Sequence, residues 1–205
     1  MAVTIGLIII NCIIFLVMEI LGDTQSAAFM LVHGGIFPLK IVEEGEYWRL
    51  FTSMFLHFGF DHLLNNMVML GAAGRILEKE LGKIKYFLLY IIAGIGGGVL
   101  SCFQMLQSGD YAVAAGASGA IFGIVGGLCW IVIIHKGRFQ SLTGKGLLIM
   151  LALCLYYGLT AGNVDNWGHI GGLIMGFVMG IIFYGRGPRQ REVKLIDFED
   201  ENSYT

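Results

Sequence analysis

The sequence predicts an all-α integral membrane protein built on six membrane-spanning helices. Three observations predict it. Apolar residues make up 56% of the chain and charged residues only 14%, against roughly 25% charged in ordinary globular chains. Mean hydropathy is +0.75. Six mostly apolar runs, each close to the length of about 20 residues that crosses a bilayer, fall at 3–21, 57–75, 86–106, 116–134, 146–163 and 168–185. So few charges cannot cover the surface of a soluble protein. The net charge of −2 excludes a nucleic-acid-binding chain, and the dominance of apolar runs excludes disorder. Cys12, Cys102, Cys129 and Cys154 all lie inside these runs and read as small packing residues, not disulfide partners.

The first run has no Lys or Arg ahead of it and exceeds a signal-peptide core in length, so it reads as a span. The connection that follows, 22–56, is too long for a simple linker. Its Phe29, Ile36, Phe37, Pro38, Tyr47 and Trp48 suit a segment lying in the membrane interface, with Trp48 and Arg49 as an anchor. The second run is the least apolar because it holds Asp61, His62, Asn65 and Asn66, and polar groups at such depth mark function. Glu78 reads as part of a charged turn with Arg75 and Lys79. Arg75 and the segments 76–85, 135–145 and 186–205 hold 11 of the 13 Lys and Arg residues. The positive-inside rule therefore puts both termini in the cytoplasm and the 22–56, 107–115 and 164–167 connections outside. Residues 1–185 form one membrane domain and 186–205 a short solvated cytoplasmic tail.

In this topology the second, fourth and sixth helices run in the same direction, each entering from outside. The fourth opens with Gly116-Ala117-Ser118-Gly119 and the sixth with Trp167-Gly168-His169-Ile170-Gly171-Gly172. His62 and Asn66, four residues apart, share a face of the second. A serine, two histidines and an asparagine thus meet at one level, with Ser118 about 10 Å below the outer surface at about 1.5 Å rise per residue. Glycines recur every fourth residue at 119, 123 and 127, and again at 168, 172, 176 and 180. Such stripes let helix backbones approach closely in lipid. If the two stripes pack together, Ser118 and His169 come within reach as an activated nucleophile and its base. Singly, a membrane serine or histidine reads as a structural hydrogen-bonder. Their coincidence at one depth beside two stripes favours catalysis.

These residues resemble the rhomboid family of intramembrane serine proteases. The matching pieces are Trp48-Arg49, His62-x-x-x-Asn66, Gly116-Ala117-Ser118-Gly119, and Gly168-His169-Ile170-Gly171-Gly172 with Gly176. Their order and spacing fit the six-helix core of bacterial members, and the resemblance spans nearly the whole chain short of the tail. It implies a rhomboid-like bundle in a bacterial plasma membrane, its active site opening to the external face. Ser118 would be the nucleophile and His169 the general base of a dyad without a third acid. The Ser118 backbone N–H, His62 and Asn66 would stabilise the oxyanion, with Phe122, Gly116 and Gly119 as supporting residues. Phe122 stands where the family often has a tyrosine packed against the catalytic histidine. It keeps the ring and loses the hydroxyl.

The implied activity is cleavage of a peptide bond in or near the transmembrane helix of a membrane-protein substrate. The partners are then substrate transmembrane segments and the lipid bilayer, with no nucleic acid and no cofactor; oligomeric state is left open. His57, His62 and His169 lack the H-E-x-x-H pattern and the acidic or cysteine company of a zinc site. Asp165 precedes His169 by four residues and reads as a helix cap or solvated loop charge before a triad acid. The alternative is a catalytically inactive rhomboid-like protein that binds membrane clients, although both Ser118 and His169 are present. A small transporter is a further alternative, without the repeated half or midplane charges it should show.

Overall fold

A computed structural model describes residues 1–140, 142–149, 152 and 164–185. Its long helices are α1 (Ala2–Leu21), α5 (Gly59–Leu81), α6 (Lys83–Ser108), α7 (Ser118–Ile134) and α8 (Asn166–Tyr184). They coincide with the first, second, third, fourth and sixth apolar runs. Most of the fifth run, Cys154 and the 186–205 tail lie outside the described residues. By length and hydropathy α1, α6 and α8 are long and apolar enough to cross a membrane, and α7 is a shorter apolar helix. Between Ile134 and α8 two short strands, Arg138–Phe139 and Leu142–Thr143, pair antiparallel.

The bundle centres on α6, α7 and α8, which make its most extensive helix contacts. Glycine is the reason they come so close. A Cβ at Gly172 would fall on the carbonyl oxygen of Gly119, and one at Gly176 on that of Gly123. One at Gly180 would lie 3.1 Å from the Gly127 Cα. The two stripes therefore face each other backbone to backbone, as the spacing anticipates. The structure adds a third strip that the sequence reading passed over. In α6, Gly97 lies under the Gly168 carbonyl, where a Cβ would be 2.6 Å from the oxygen, and Ala93 fills the space at Gly123.

The 22–56 connection folds into α2 (Ala27–Val32), α3 (Pro38–Val42), α4 (Arg49–Thr52) and a 3₁₀ turn (Ser53–Phe55). Val32, Val42, Tyr47, Trp48 and Phe51 are exposed on it, in keeping with an interfacial segment, whereas Ile36 is buried. Arg49 departs from the expectation of an interface anchor. It is 4% exposed, and its guanidinium donates to Glu46, to the Leu31 carbonyl at 2.6 Å and to the Gly35 carbonyl at 3.0 Å. A fork of five donors can close three chain segments at once, so this arginine clamps the connection internally. Of the expected anchor pair only Trp48 faces outward, with the Arg49 guanidinium 4.7 Å from its ring centre.

Glu78 also departs from its expected place in a charged turn. It is 2% exposed and accepts the backbone N–H groups of Val3 at 3.1 Å and Thr4 at 2.9 Å, and the Thr4 hydroxyl at 2.7 Å. The first turn of a helix leaves its N–H groups without intrahelical partners. A carboxylate on α5 supplies them here and ties α1 to α5.

Replacing Gly172 by Ala should force α7 and α8 apart and destabilise the protein by about 1–3 kcal/mol, as overpacking does. Gly6→Ala in α1, where a Cβ would meet nothing within 4 Å, should be neutral or mildly stabilising. Melting temperatures of both variants in one detergent check this. Equal melting of Gly172→Ala and wild type would show that the close approach is not needed.

Candidate active site

The approach to α7 is held by backbone pairing. Ile36 and Ala114 exchange N–H···O bonds at 2.8 and 3.0 Å, and the Gly116 N–H donates to the Ser53 carbonyl at 2.9 Å. Gly116 has φ +138, and a Cβ there would sit 2.8 Å from His62 Cε1 and 3.0 Å from Nε2. Both facts require glycine. The Ser118 hydroxyl oxygen lies 3.7 Å from that same Cβ position. The His62 ring and the Ser118 hydroxyl therefore flank one glycine. Helix α7 begins at Ser118 with no side-chain cap, and among the described residues the Ser118 N–H makes no hydrogen bond. It is a free donor beside a nucleophilic oxygen.

Phe122 stands one turn below Ser118 on the same face of α7. Its ring stacks on His169 of α8 with centroids 4.2 Å apart and planes 6° from parallel. His169 is 8% exposed. The stack brings the histidine against the serine-bearing face. No hydrogen bond joins Ser118 and His169 in this resting state, among the described residues; such bonds are often long until substrate arrives. Among the described residues the His169 Nδ1 has no partner, and none of their acids orients the ring from behind. Asp165 is instead the N-cap of α8 and accepts the Gly168 N–H at 2.8 Å. Burial pushes its carboxyl above the usual carboxylate range, against the pull of the Gly168 N–H and the Ser101 hydroxyl. It is a cap, as expected, but hardly a solvated one.

On α5 the Phe58 N–H donates to His62 Nδ1 at 3.4 Å. A neutral ring that accepts at Nδ1 carries its proton at Nε2, the atom beside Gly116. Asn66 is 7% exposed, and its buried Nδ2 has no partner among the described residues. His62 and Asn66 do not bond each other among the described residues. Two donors are thus left open on one helix face, and unsatisfied buried donors are uncommon enough to call for an explanation. Beside Ser118 lies a cavity of about 40 Å³ bordered by Ser53, Gly116, Gly119, Asp165 and Gly168. A water needs roughly 10–15 Å³ of such space.

The sequence reading singled out Ser118, His169, His62, Asn66, Phe122, Gly116 and Gly119. The structure brings Phe122 to His169, and His62 to Gly116 and Ser118, while Gly119 lies under Gly172. Asn66 joins the group only by sharing the His62 face. Ser53 and the α6 glycines were missed. The run Gly94-Ile95-Gly96-Gly97-Gly98 carries a signal for the latter, but a backbone carbonyl such as that of Ser53 leaves no mark on residue type.

A family model described as the Rhomboid domain matches residues 44–186. The chain is 35% identical over 171 residues to Rhomboid protease GluP of Bacillus subtilis (strain 168), which covers 83% of this chain and 32% of that protein. It is 38% identical over 152 residues to RHOMBOID-like protein 5 of Arabidopsis thaliana, covering 72% and 48%. With Rhomboid-like protease 1 of Toxoplasma gondii it shares 31% over 180 residues, covering 83% and 60%. The chain spans between about a third and three-fifths of these relatives' lengths. Matched over most of its residues by the family model and by relatives of this similarity, the chain belongs to the rhomboid family.

Proposed function

We propose that this chain is an intramembrane serine endopeptidase that cuts a peptide bond in or near the transmembrane helix of a membrane-protein substrate. The observation that carries the reading is the parallel stack of His169 on Phe122, one turn below Ser118. Ser118 Oγ attacks the scissile carbonyl carbon while His169 takes its proton. The carbonyl oxygen becomes an oxyanion and receives hydrogen bonds from the Ser118 N–H, His62 Nε2–H and Asn66 Nδ2–H. Collapse breaks the C–N bond, and the His169 proton leaves with the amine. Water then attacks the acyl-enzyme, giving its proton to His169, and a second collapse frees the carboxylic acid and Ser118. Phe122 and burial hold the imidazole in place of a third acid.

The substrate must present an unwound stretch, because a helical peptide bond hides its carbonyl, and the family's preference is for a small residue before the cut. The charge distribution supports termini in the cytoplasm and a site opening to the external face. Residues 1–185 serve as the membrane domain and 186–205 as its tail. A non-catalytic, client-binding role is the second reading, since several relatives carry only the name RHOMBOID-like protein. Covalent labelling of Ser118 by a fluorophosphonate separates the two.

Ser118→Ala and His169→Ala should each abolish cleavage of a membrane-embedded substrate without loss of the fold. Asp165→Asn should keep its activity, because asparagine caps a helix as well as aspartate does. A loss near 10⁴ in kcat, typical of removing a triad acid, would make Asp165 catalytic and defeat the dyad. Full cleavage by Ser118→Ala would rule out the nucleophile.

His62→Ala and Asn66→Ala should lower turnover more than they weaken substrate binding. One lost oxyanion donor costs up to about 10²–10³ in rate, and the remaining donors here should soften that. Turnover and melting temperature measured on the same preparations decide: unchanged turnover in both variants removes the oxyanion role.

For the topology, Glu44→Cys and Asp110→Cys in an otherwise cysteine-free chain should react with an impermeant thiol reagent in intact cells, and Ser203→Cys should not. The opposite labelling pattern would invert the orientation.

A further inference from the structure

His57 is 1% exposed and takes no part in the chemistry above. It lies between the 3₁₀ turn and α5, with its ring edge-on to His62 at 5.3 Å and 68°. Its Nε2 accepts the backbone N–H of Ala117 at 3.4 Å. Resting on the proteolytic reading, we propose that His57 is a positioning residue: it holds the Ala117 amide so that the next amide, that of Ser118, points at the oxyanion.

Three consecutive amides carry the argument. The Gly116 N–H is held by the Ser53 carbonyl at 2.9 Å, and the Ala117 N–H by His57. These two acceptors sit four residues apart on one segment. The third amide, Ser118 N–H, has no partner among the described residues. Peptide units are planar, so fixing the Ala117 N–H fixes the plane that joins Gly116 to Ala117. Ala117, at φ −71 and ψ −7, then sets the next plane, which carries the Ser118 N–H. Restraint is needed at this point. Gly116, at φ +138, has the freedom of a glycine, and without the His57 bond the plane after it can rotate and carry the oxyanion donor off target.

The residue type follows from the same contacts. Only a side chain with an acceptor can meet a backbone N–H, and only a ring of this size also backs His62. An apolar residue would fill the space beside the buried Met54, Phe55 and Leu56 and leave the amide unheld. The role demands a neutral ring with its proton on Nδ1, because Nε2 must accept. At 3.4 Å the bond is long, as catalytic-site bonds often are before substrate binds.

Wild type, His57→Phe and His57→Gln are compared in proteoliposomes. The phenylalanine keeps a ring against His62 without an acceptor, and the glutamine supplies an acceptor without the ring. Readouts are kcat and KM on a membrane-embedded substrate, the rate of Ser118 phosphonylation by a fluorophosphonate, and the melting temperature. His57→Phe should lower kcat and the phosphonylation rate about 10-fold or more, with KM and melting close to wild type. His57→Gln should recover much of the loss. Equal rates for wild type and His57→Phe, or a glutamine variant no faster than the phenylalanine one, overturn the inference. Independently of any variant's folding, ¹⁵N-histidine spectra of the wild type should place the His57 proton on Nδ1, and a proton on Nε2 overturns it. Absence of Ser118 labelling in wild type would instead defeat the proteolytic reading itself.

Discussion

Helix α8 can approach α7 only because neither carries a side chain where they touch. Gly172 rests against the Gly119 carbonyl and Gly176 against that of Gly123, and the geometry of the candidate site depends on that contact. Between helices in lipid there is little hydrophobic driving force, since neighbouring acyl chains are as apolar as the side chains. Association must come from packing, and packing improves steeply as backbones close in. Gly119 follows Ser118 by one residue and Gly172 follows His169 by three. The same register that seats the glycines therefore sets the serine face of α7 toward the histidine.

Stability and reactivity pull against each other around that seam. The Ser118 N–H, Asn66 Nδ2 and His169 Nδ1 are left without partners among the described residues, and an unsatisfied buried polar group costs about 1–3 kcal/mol. Three charged groups elsewhere are by contrast fully engaged. Glu78 caps α1, Arg49 closes three segments of the long connection, and Asp165 caps α8. A site that must bind a charge absent from its resting state has to keep donors unoccupied, and preorganising them removes the cost of turning them during the reaction.

Much of this was legible in the residues. Fourfold spacing of glycine reports directly on helix contacts, because nothing else lets backbones touch, and His62 with Asn66 was legible as a shared face. The expectations failed where a charge changed company. Arg49 and Glu78 read as belt and turn residues, since a charge near the end of an apolar run ordinarily faces water. Their burial depends on carbonyl and amide groups from Leu31, Gly35, Val3 and Thr4, and backbone groups are the same in every sequence. His57 was weighed only as a zinc ligand and set aside, and its role was illegible for the same reason: its partner is the Ala117 amide.

On the proposed reading an aromatic stack, not a carboxylate, orients His169, and the depth of the site gives the reason. A buried acid beside the histidine would itself need desolvating, and a lone ionised carboxylate in an apolar layer is expensive unless fully paired. Asp165 shows how the chain handles one: the carboxyl is turned to the Gly168 N–H at the helix end, and burial still raises it. Phe122 has no charge to bury. Its ring, 6° from parallel with His169, restricts the imidazole by contact alone, and α8 fixes the other side through the Asp165 cap and the Gly172 seat. On that reading position 122 needs a ring more than a hydroxyl, because orientation rests on ring contact and helix register.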